Sequence, residues 1–507
     1  MTLSTFKPQA AFVLAALAAA SAQAAFNSGS TGADGALNPT VNTEIQLPES
    51  GILNYTTVNI PSGVTVKFKK NTANTPVFIL ASGNVTIAGT IDIRGTDATS
   101  TGTYGDGLQG DDAIPGVGGP GGYDGGRGGR DDTQQRAEIV RGGSGLGPGG
   151  GPGGVEGPDG CNAMGQYHYI GIGGGYTTKA YQSYGASYYC DINSITIVGK
   201  SYGSPLLQPL LGGSGGGGGR GGTAFPGAGG GGGGGAILIA SSGVLQVTGT
   251  INARGGDGGG LAGAGVGGNG AGGSGGGIRL VGTTVSGNGS LLAEGGCINN
   301  SNQPRQNCLA TGYAGQYGGA VGRVRIEGEA ITYSGPASPA FVADVPGPVF
   351  IAEAPSLRIA SVAGTAVPAN PTGNADVTLP ATTTGPIDVV FQTVNVPVGN
   401  TVLLRVVPAY GQPTEALSPA ITGATGSGNA SVSVTLPSGP STLQATTTYT
   451  VVVAGTLDLS RFAHNEQVEK VEVTVSMVGE ATARLLTASG KAYDVSYAAL
   501  RAAGFRG

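Results

Sequence analysis

The sequence predicts an all-β protein in which β-solenoid-like rungs with glycine-rich insertions precede an immunoglobulin-like β-sandwich. Three observations predict this class. Short segments rich in β-branched residues alternate apolar and polar side chains, which is the pattern of strands with one buried face. Several of these segments repeat along the chain. Glycine accounts for 101 of the 507 residues and is concentrated in tracts between the repeats.

The chain begins with a predicted signal peptide at residues 1–24. Lys7 precedes an apolar run at 10–20, which is too short to span a bilayer, and Ala22–Ala24 offers a small-x-small cleavage site. An N-terminal membrane anchor is the alternative. No apolar run long enough to cross a membrane follows, so the sequence predicts export without a transmembrane anchor, to a secreted or cell-surface location.

Composition shifts divide the rest of the chain into four predicted segments. They are a solenoid-like region at 25–335 with glycine-rich insertions at 95–235, 255–277 and 295–322, a linker at 336–355, a β-sandwich at 356–455, and a C-terminal β-hairpin and tail at 456–507.

An internal repeat predicts the rungs. Ile79–Asp97 (ILASGNVTIAGTIDIRGTD) aligns without gaps with Ile239–Asp257 (IASSGVLQVTGTINARGGD), and shorter copies occupy Val285–Gly296 and Gly322–Gly335. Each copy has the pattern of two short strands around a glycine turn, and such a unit cannot bury its apolar face alone. Stacking of the copies into a β-solenoid is therefore predicted, with ordinary β-sandwich strands as the alternative.

The glycine tracts begin at equivalent points, directly after Arg94, Arg254 and Glu294, which places them at one corner of successive rungs. Residues 118–130 (GGPGGYDGGRGGR) show a Gly-Gly-x rhythm. That rhythm fits polyglycine II helices, which have three residues per turn and pack closely where side chains are missing. Flexible linkers are the alternative.

Short strands combined with Gly-Gly-x tracts resemble the polyglycine II bundle proteins. These include the glycine-rich region of anaplastic lymphoma kinase-type receptors, certain phage tail-tip adhesins and the snow flea antifreeze protein. The resemblance spans residues 95–335 and rests on composition and rhythm. It implies ordered glycine helices joined by loops that carry recognition.

The four cysteines are Cys161, Cys190, Cys297 and Cys308. An even number in an exported chain favours disulfides, for which three pairings exist, and sequence neighbours favour Cys161–Cys190 and Cys297–Cys308. Metal ligation is the alternative, although no CxxC or Cys/His spacing supports it.

Seven tyrosines form the densest aromatic cluster, and they lie in the loop between the first two cysteines. They are Tyr167, Tyr169, Tyr176, Tyr181, Tyr184, Tyr188 and Tyr189. Tyrosine presents a flat apolar face and a hydroxyl, which suits contact with sugars or protein surfaces. We predict ligand binding here, with a local hydrophobic mini-core as the alternative.

Asp106, Asp111 and Asp112 form a candidate calcium site, because calcium takes several oxygen ligands from acidic loops. No EF-hand spacing is present, and solvated loop charge is the alternative. No other cofactor is predicted.

The sequence predicts no catalytic residues and no enzyme activity. The chain has two histidines and no nucleophile motif, while a net charge of −5 argues against nucleic acid as a partner. The predicted role is structural or adhesive, in a bacterial sheath, filament or adhesin. Its partner would be an extracellular glycan, a protein surface or copies of itself in a polymer.

Two alternatives remain open at this point. One is a carbohydrate-active β-helix enzyme, a polysaccharide lyase or hydrolase, which would draw on Asp92, Arg94, Asn252 and Arg254. The other is an ice-binding protein, which the glycine helices suggest and Thr-rich arrays would support.

Overall fold

The computed structural model describes residues 25–99, 113–134, 136–154, 170–178, 201–260, 268–297, 318–350, 354–368, 376–408, 413–453, 457–477 and 481–507. Strands account for 39% of the structure and helices for 2%, which confirms the all-β class. The strands form two parallel sheets followed by two antiparallel sheets.

The parallel sheets use fifteen strands of the N-terminal region. These are β1 (Ala36–Leu37), β2 (Thr43–Gln46), β3 (Ile52–Tyr55), β4 (Thr57–Ile60), β5 (Thr65–Lys69), β6 (Val77–Ala81), β7 (Val85–Ile87), β8 (Thr90–Asp92), β9 (Ala236–Val247), β10 (Thr250–Asn252), β11 (Gly277–Gly287), β12 (Ser290–Leu292), β13 (Arg323–Tyr333), β14 (Ala337–Ser338) and β15 (Val342–Asp344). A short helix, α1 (Ala137–Val140), lies in the long connection between β8 and β9.

The sequence repeats lie on neighbouring strands. The nine-stranded sheet has the order β1-β4-β7-β9-β11-β13-β15, with β3 and β6 joined to β9, and the six-stranded sheet has the order β14-β12-β10-β8-β5-β2. Ile79 pairs with Ile239, and Thr90 with Thr250, as the ungapped alignment of the first two copies requires. Leu245 pairs with Val285 in the same way. Successive copies are therefore successive layers of one stack.

Apolar columns run through these layers and form one core. One column contains Leu53, Ile79, Ile239, Leu280 and Ile326, and a second contains Val66, Ile91, Ile251 and Leu291. All nine side chains are at most 6% exposed. Full burial of one such side chain contributes about 1.5–3 kcal/mol relative to exposure, so the columns supply a large part of the stability of the stack.

A glycine column forms the corner between the two parallel sheets. A Cβ on Gly249 would lie 1.9 Å from the carbonyl oxygen of Gly89, and one on Gly289 would lie 2.1 Å from that of Gly249. The next layer repeats the contact, because a Cβ on Gly335 would lie 2.0 Å from the oxygen of Gly289. Backbone approaches this close explain why glycine occupies this corner in successive layers.

The glycine tracts between layers lie side by side and are bonded through their backbones. One tract, 213–222, lies among the others and is bonded to six segments, namely 123–132, 140–146, 151–154, 170–178, 228–234 and 268–274, at N···O distances of 2.7–3.0 Å. The amides of Gly213, Gly216 and Gly219 donate to the carbonyls of Gly234, Gly231 and Ala228. Bonds to this neighbour therefore recur every third residue, and the bonds to 123–132, 140–146 and 268–274 have the same spacing. We call this array the glycine bundle.

This packing is possible because glycine has no side chain. A Cβ on Gly216 would lie 2.2 Å from the carbonyl oxygen of Ala271, and one on Gly219 would lie 1.9 Å from that of Gly268. Neither glycine has a positive φ. Space for a neighbouring backbone, rather than an unusual backbone conformation, excludes larger residues at these two positions.

Residues 25–32 cross the outer face of the nine-stranded sheet. The Phe26 amide donates to Glu329 of β13, the Ser28 hydroxyl donates to the Ala81 carbonyl of β6, and the Ser30 hydroxyl donates to that of Tyr55 in β3. These strands belong to different layers, so the N-terminal strap, as we call residues 25–32, ties layers together.

The C-terminal region contains the antiparallel sheets. Its elements are β16 (Ser356–Val362), β17 (Thr365–Ala366), β18 (Ile387–Val394), β19 (Thr401–Pro408), β20 (Thr414–Ala420), β21 (Thr422–Ala424), β22 (Ser427–Val434), β23 (Ser441–Val452), a 3-10 turn (Ser460–Phe462), β24 (Val468–Ser476), β25 (Thr482–Thr487), β26 (Ala492–Ser496) and α2 (Tyr497–Ala502). The sheet orders are β17-β16-β18-β22-β21 and β20-β19-β23-β24-β25-β26, and the two sheets enclose one hydrophobic core.

Two predicted boundaries differ from the structure. The segment 336–355, predicted as a linker, contributes β14 and β15, which pair with β12 and β13. The segment 456–507, predicted as a separate hairpin and tail, joins the preceding sheet, because β24 pairs with β23. In both cases the strands add to an edge that the earlier part of the chain leaves open.

Candidate functional site

In the described part of the glycine bundle, five backbone hydrogen bonds each join the two sides of a connection, and we call each bonded pair a base. The pairs are Thr99–Ile114 at 3.2 Å, Pro152–Ile172 at 2.8 Å, Gly259–Gly270 at 3.0 Å, Gly296–Gly319 at 2.9 Å and Tyr176–Tyr202 at 2.8 Å. The residues between them include the ranges 100–112, 155–169, 261–267, 298–317 and 179–200, which lie outside the described residues.

Four of the five bases lie toward the same end of the bundle. A Cβ on Gly259 would be 2.2 Å from the Thr99 oxygen, the Gly258 amide donates to Cys297, and the Gly171 amide donates to Asn269. These contacts join the first four bases at the end remote from the parallel sheets. The fifth base lies at the other end, because Tyr176 Oη is 3.5 Å from the Cβ position of Gly277, where β11 begins.

Most predicted site residues fall outside the described part of the chain. They are Asp106, Asp111, Asp112, Cys161, Tyr167, Tyr169, Tyr181, Tyr184, Tyr188, Tyr189, Cys190 and Cys308. Their roles in calcium binding, ligand binding and disulfides therefore stay predictions. The described residues contain no group of three or more His, Cys, Asp or Glu side chains that could hold a metal ion.

Tyr176 is the one tyrosine of the predicted ligand-binding set that the structure describes, and it is buried. Its hydroxyl donates to the Leu211 carbonyl at 3.0 Å, and its ring centroid lies 4.7 Å from that of Tyr202. The Arg323 guanidinium lies 5.6 Å from the ring centroid. Burial raises the pKa of Tyr176. A ring enclosed in this way supports the interior and offers no surface for a ligand, so the mini-core alternative describes this residue.

Cys297 is 1% exposed. Its amide donates to Asp257 Oδ1 at 2.8 Å, which links the ends of β10 and β12. Cys308 lies outside the described residues, so the disulfide between these two cysteines stays a prediction.

The charged residues required by the enzymatic alternative form a ladder on the outer face of the six-stranded sheet. Asp92 lies 3.7 Å from Lys67 Nζ and 4.0 Å from Arg94 Nε, and it accepts a hydrogen bond from Asn252 Nδ2 at 3.2 Å. Arg254 pairs with Glu294 one layer further on. The Lys67–Asp92 and Arg254–Glu294 pairs connect consecutive layers, which gives the ladder a role in holding the stack together.

A hydroxyl rank runs beside this ladder. Thr65 pairs with Thr90, Thr90 with Thr250, and Thr250 with Ser290, and each side chain is half-buried. Parallel strands lie about 4.8 Å apart, so the four hydroxyls repeat at that interval along the stack.

A buried ionic cluster between β11 and β13 was not predicted from the sequence. Glu327 accepts two hydrogen bonds of 2.9 Å from Arg279 and one of 2.6 Å from Arg325, and Arg325 also donates to Asp344 at 2.7 Å. The Gly347 amide completes the set at 2.8 Å. Burial by itself raises the pKa of Glu327, but the two guanidinium groups outweigh it and hold that pKa below its ordinary value.

This cluster fastens residues 344–348 over the outer face of the stack, because Arg279 Nη2 also donates to the Pro348 carbonyl at 3.1 Å. Gln208 Nε2 donates to the same carbonyl, so the segment that directly precedes tract 213–222 is held at the same place. The sequence signal is the run of charged residues at alternate positions of β13, from Arg323 to Glu329, which is also the pattern of an exposed face.

No helix in the described part of the chain has the length and hydropathy needed to span a membrane. Comparisons with protein-family models, with curated proteins and with solved structures find no match to this chain.

Proposed function

We propose that this chain is an exported structural or adhesive protein of the bacterial cell surface or extracellular matrix, binding a glycan or protein surface through loops on a rigid glycine scaffold. The observation that carries the proposal is the bonding of tract 213–222 to six neighbouring segments. Glycine in solvent loses more conformational freedom on folding than any other residue, so an array held this completely indicates a support and not a tether.

The loop bases support the same role. Four bases lie together at the end of the bundle remote from the parallel sheets, and each is closed by a backbone hydrogen bond. Fixed ends reduce the conformational entropy that a loop loses when it binds a partner. Loops that start from one rigid end can present a single composite surface, as loops on other rigid scaffolds do.

The finer architecture belongs to this proposal. We infer that the layers are rungs of a β-solenoid and that the glycine bundle consists of polyglycine II helices, since its bonds recur every third residue. The two antiparallel sheets around one core support an immunoglobulin-like sandwich. The predicted signal peptide supplies the export route across the inner membrane.

Binding of cells and glycans by the mature protein tests the proposal. Serine replacement of Tyr167 and Tyr169, which lie between the remote-end pair Pro152 and Ile172, should abolish binding, whereas Leu417→Ser, at a surface position 61% exposed, should leave it intact. Equal binding by both variants would reject recognition through these loops. Immunogold microscopy of the cell surface would separate a filament or sheath subunit, which forms polymers, from a dispersed adhesin.

The proposal includes the absence of catalysis. Incubation with pectin, alginate and related glycans should release no reducing or unsaturated ends. New ends that disappear in Asp92→Asn would establish the β-helix enzyme instead.

The hydroxyl rank favours ice binding as a second candidate function. Stacked hydroxyls at Thr65, Thr90, Thr250 and Ser290 form a regular array. Ice binding would produce thermal hysteresis that Thr90→Tyr removes. Freezing behaviour no different from that of an equal concentration of albumin would exclude it.

A further inference from the structure

A cavity of about 280 Å³ lies where the glycine-rich region meets the C-terminal sheet. One wall is the segment 202–205. The other is formed by side chains of β24, β25 and β26, which are Glu472, Thr474, Thr482, Ala483, Arg484, Asp494 and Val495. Ligand sites occur preferentially at such junctions between two parts of a chain.

The wall at 202–205 is held in place before any ligand arrives. Arg323 Nη2 lies 3.4 Å from the Tyr202 carbonyl oxygen and 3.3 Å from that of Gly203, and donates to both. The Tyr202 hydroxyl donates to Gly212 at 2.6 Å. Gly203 has a φ of +72°, and a Cβ there would lie 3.2 Å from the Tyr176 ring. The buried Tyr176 therefore supports this wall.

The opposite wall carries three charged side chains in one row. Glu472 pairs in register with Arg484, and Arg484 with Asp494. Arg484 donates to Asp494 through Nε at 2.7 Å and through Nη2 at 3.4 Å, so these two charges offset each other. Glu472 is half-buried and accepts no hydrogen bond from the residues that the structure describes, although Arg484 lies near enough to interact with its charge.

The chemistry of these groups indicates the ligand. A carboxylate with free acceptor positions can receive two hydrogen bonds from adjacent hydroxyls, while Arg484 and the hydroxyls of Thr482 and Ser204 can donate. Tyr202 adds an aromatic group at the wall. Because Arg484 and Asp494 offset each other, the Glu472 charge remains and disfavours an acidic ligand.

We propose that this cavity binds one neutral sugar residue of an extracellular glycan. The inference rests on the proposed adhesive function and names the ligand class for one site. It is separate from the loops at the remote end of the bundle.

Saturation-transfer NMR on the full mature chain tests the proposal. The probes are the methyl glycosides of glucose, galactose, mannose and xylose, with galacturonic acid as the acidic comparison. We expect transfer to at least one neutral sugar, with a Kd on the order of millimolar, and none to galacturonic acid. Glu472→Gln keeps the shape of the side chain and should weaken binding by about tenfold or more, since a charged acceptor is lost.

Glu415→Gln is the matched control, because Glu415 on β20 is 4.0 Å from Arg405 in a surface pair and does not line the cavity. It should bind within twofold of the wild type. Pro205→Trp, at the exposed rim, fills the cavity without removing a charge and should also abolish transfer. Unchanged urea midpoints in both cavity variants establish that they remain folded.

Three results would overturn the proposal: no transfer to any neutral sugar, equal transfer to galacturonic acid, or unchanged affinity in Glu472→Gln. Each can occur while cells still bind through the loops. Conversely, loss of loop-borne adhesion leaves the soluble-sugar measurement valid, so the two failures are distinguishable.

Discussion

Replacement of Gly216 by alanine tests whether the glycine bundle is packed as the structure shows. The Gly216 amide donates to Gly231 at 3.0 Å, and its carbonyl accepts from Gly126 at 2.8 Å. An added Cβ would lie 2.2 Å from the Ala271 oxygen, whereas ordinary contacts begin at 3.4 Å. A neighbouring backbone would therefore have to move by roughly 1 Å, and a backbone atom cannot rotate away as a side chain can.

The expected cost follows from this geometry. Overpacking a well-packed interior costs about 1–3 kcal/mol, and a clash with backbone belongs at the upper end. Alanine also restricts the unfolded chain, which returns about 0.4–1 kcal/mol. We therefore expect Gly216→Ala to lower the free energy of unfolding by about 2 kcal/mol, with the loss concentrated in the bundle.

Gly385→Ala is the control, because nothing lies within 4 Å of a Cβ there and its φ is not positive. It should be neutral or stabilise by a few tenths of a kcal/mol. Urea unfolding gives the global effect, and hydrogen exchange of the bundle amides gives the local one. Indistinguishable curves and exchange rates for the two variants would refute close packing.

Three further predictions concern single side chains. Ser28→Ala removes the hydroxyl that ties the N-terminal strap to Ala81 at 2.7 Å and should cost about 1 kcal/mol by urea unfolding; no change would show that the strap adds no stability. Glu327→Gln leaves two buried guanidinium groups without their carboxylate and should cost about 3–5 kcal/mol. The folded-state pKa of Glu327 is lowered, so its contribution to the free energy of unfolding is present above the unfolded pKa of about 4.3 and is lost as pH falls through the folded pKa. If Glu327→Gln lost stability in acid as steeply as the wild type does, this assignment would be contradicted. Hydrogen bonds from Lys491, which has the larger effect, and from Ser489 lower the pKa of Glu466 to about 2. NMR of the Glu466 carboxyl group should show a titration midpoint at that pH, and Lys491→Ala should raise the midpoint. An ordinary midpoint in the wild type would exclude the contact.

The stacked layers could be predicted because the same pattern of apolar side chains recurs in each layer. Period-two alternation and the ungapped repeat place Ile79 beside Ile239 and Thr90 beside Thr250, as observed. The glycine at each turn also has a physical cause, because the corner leaves no room for a Cβ. Apolar columns and tight corners both impose residue types, so both can be recognised without a structure.

The arrangement of the glycine tracts could not be predicted in the same way. Glycine has no side chain to distinguish one neighbour from another, so nothing in tract 213–222 identifies the six segments around it. The cluster around Glu327 was missed for a different reason, since charged residues at alternate positions indicate an exposed face until another segment covers them. Tyr176 has the residue type of a binding surface but supports the interior, because Tyr202 and Leu211 enclose it.

Amide hydrogen exchange over residues 213–222 tests the central claim most directly. If this tract is bonded on all sides, its amides exchange as slowly as those of β9 and far more slowly than the exposed amides of Ser438 and Gly439. Exchange at the rate of an unstructured peptide would contradict the scaffold and, with it, the adhesive role built on it.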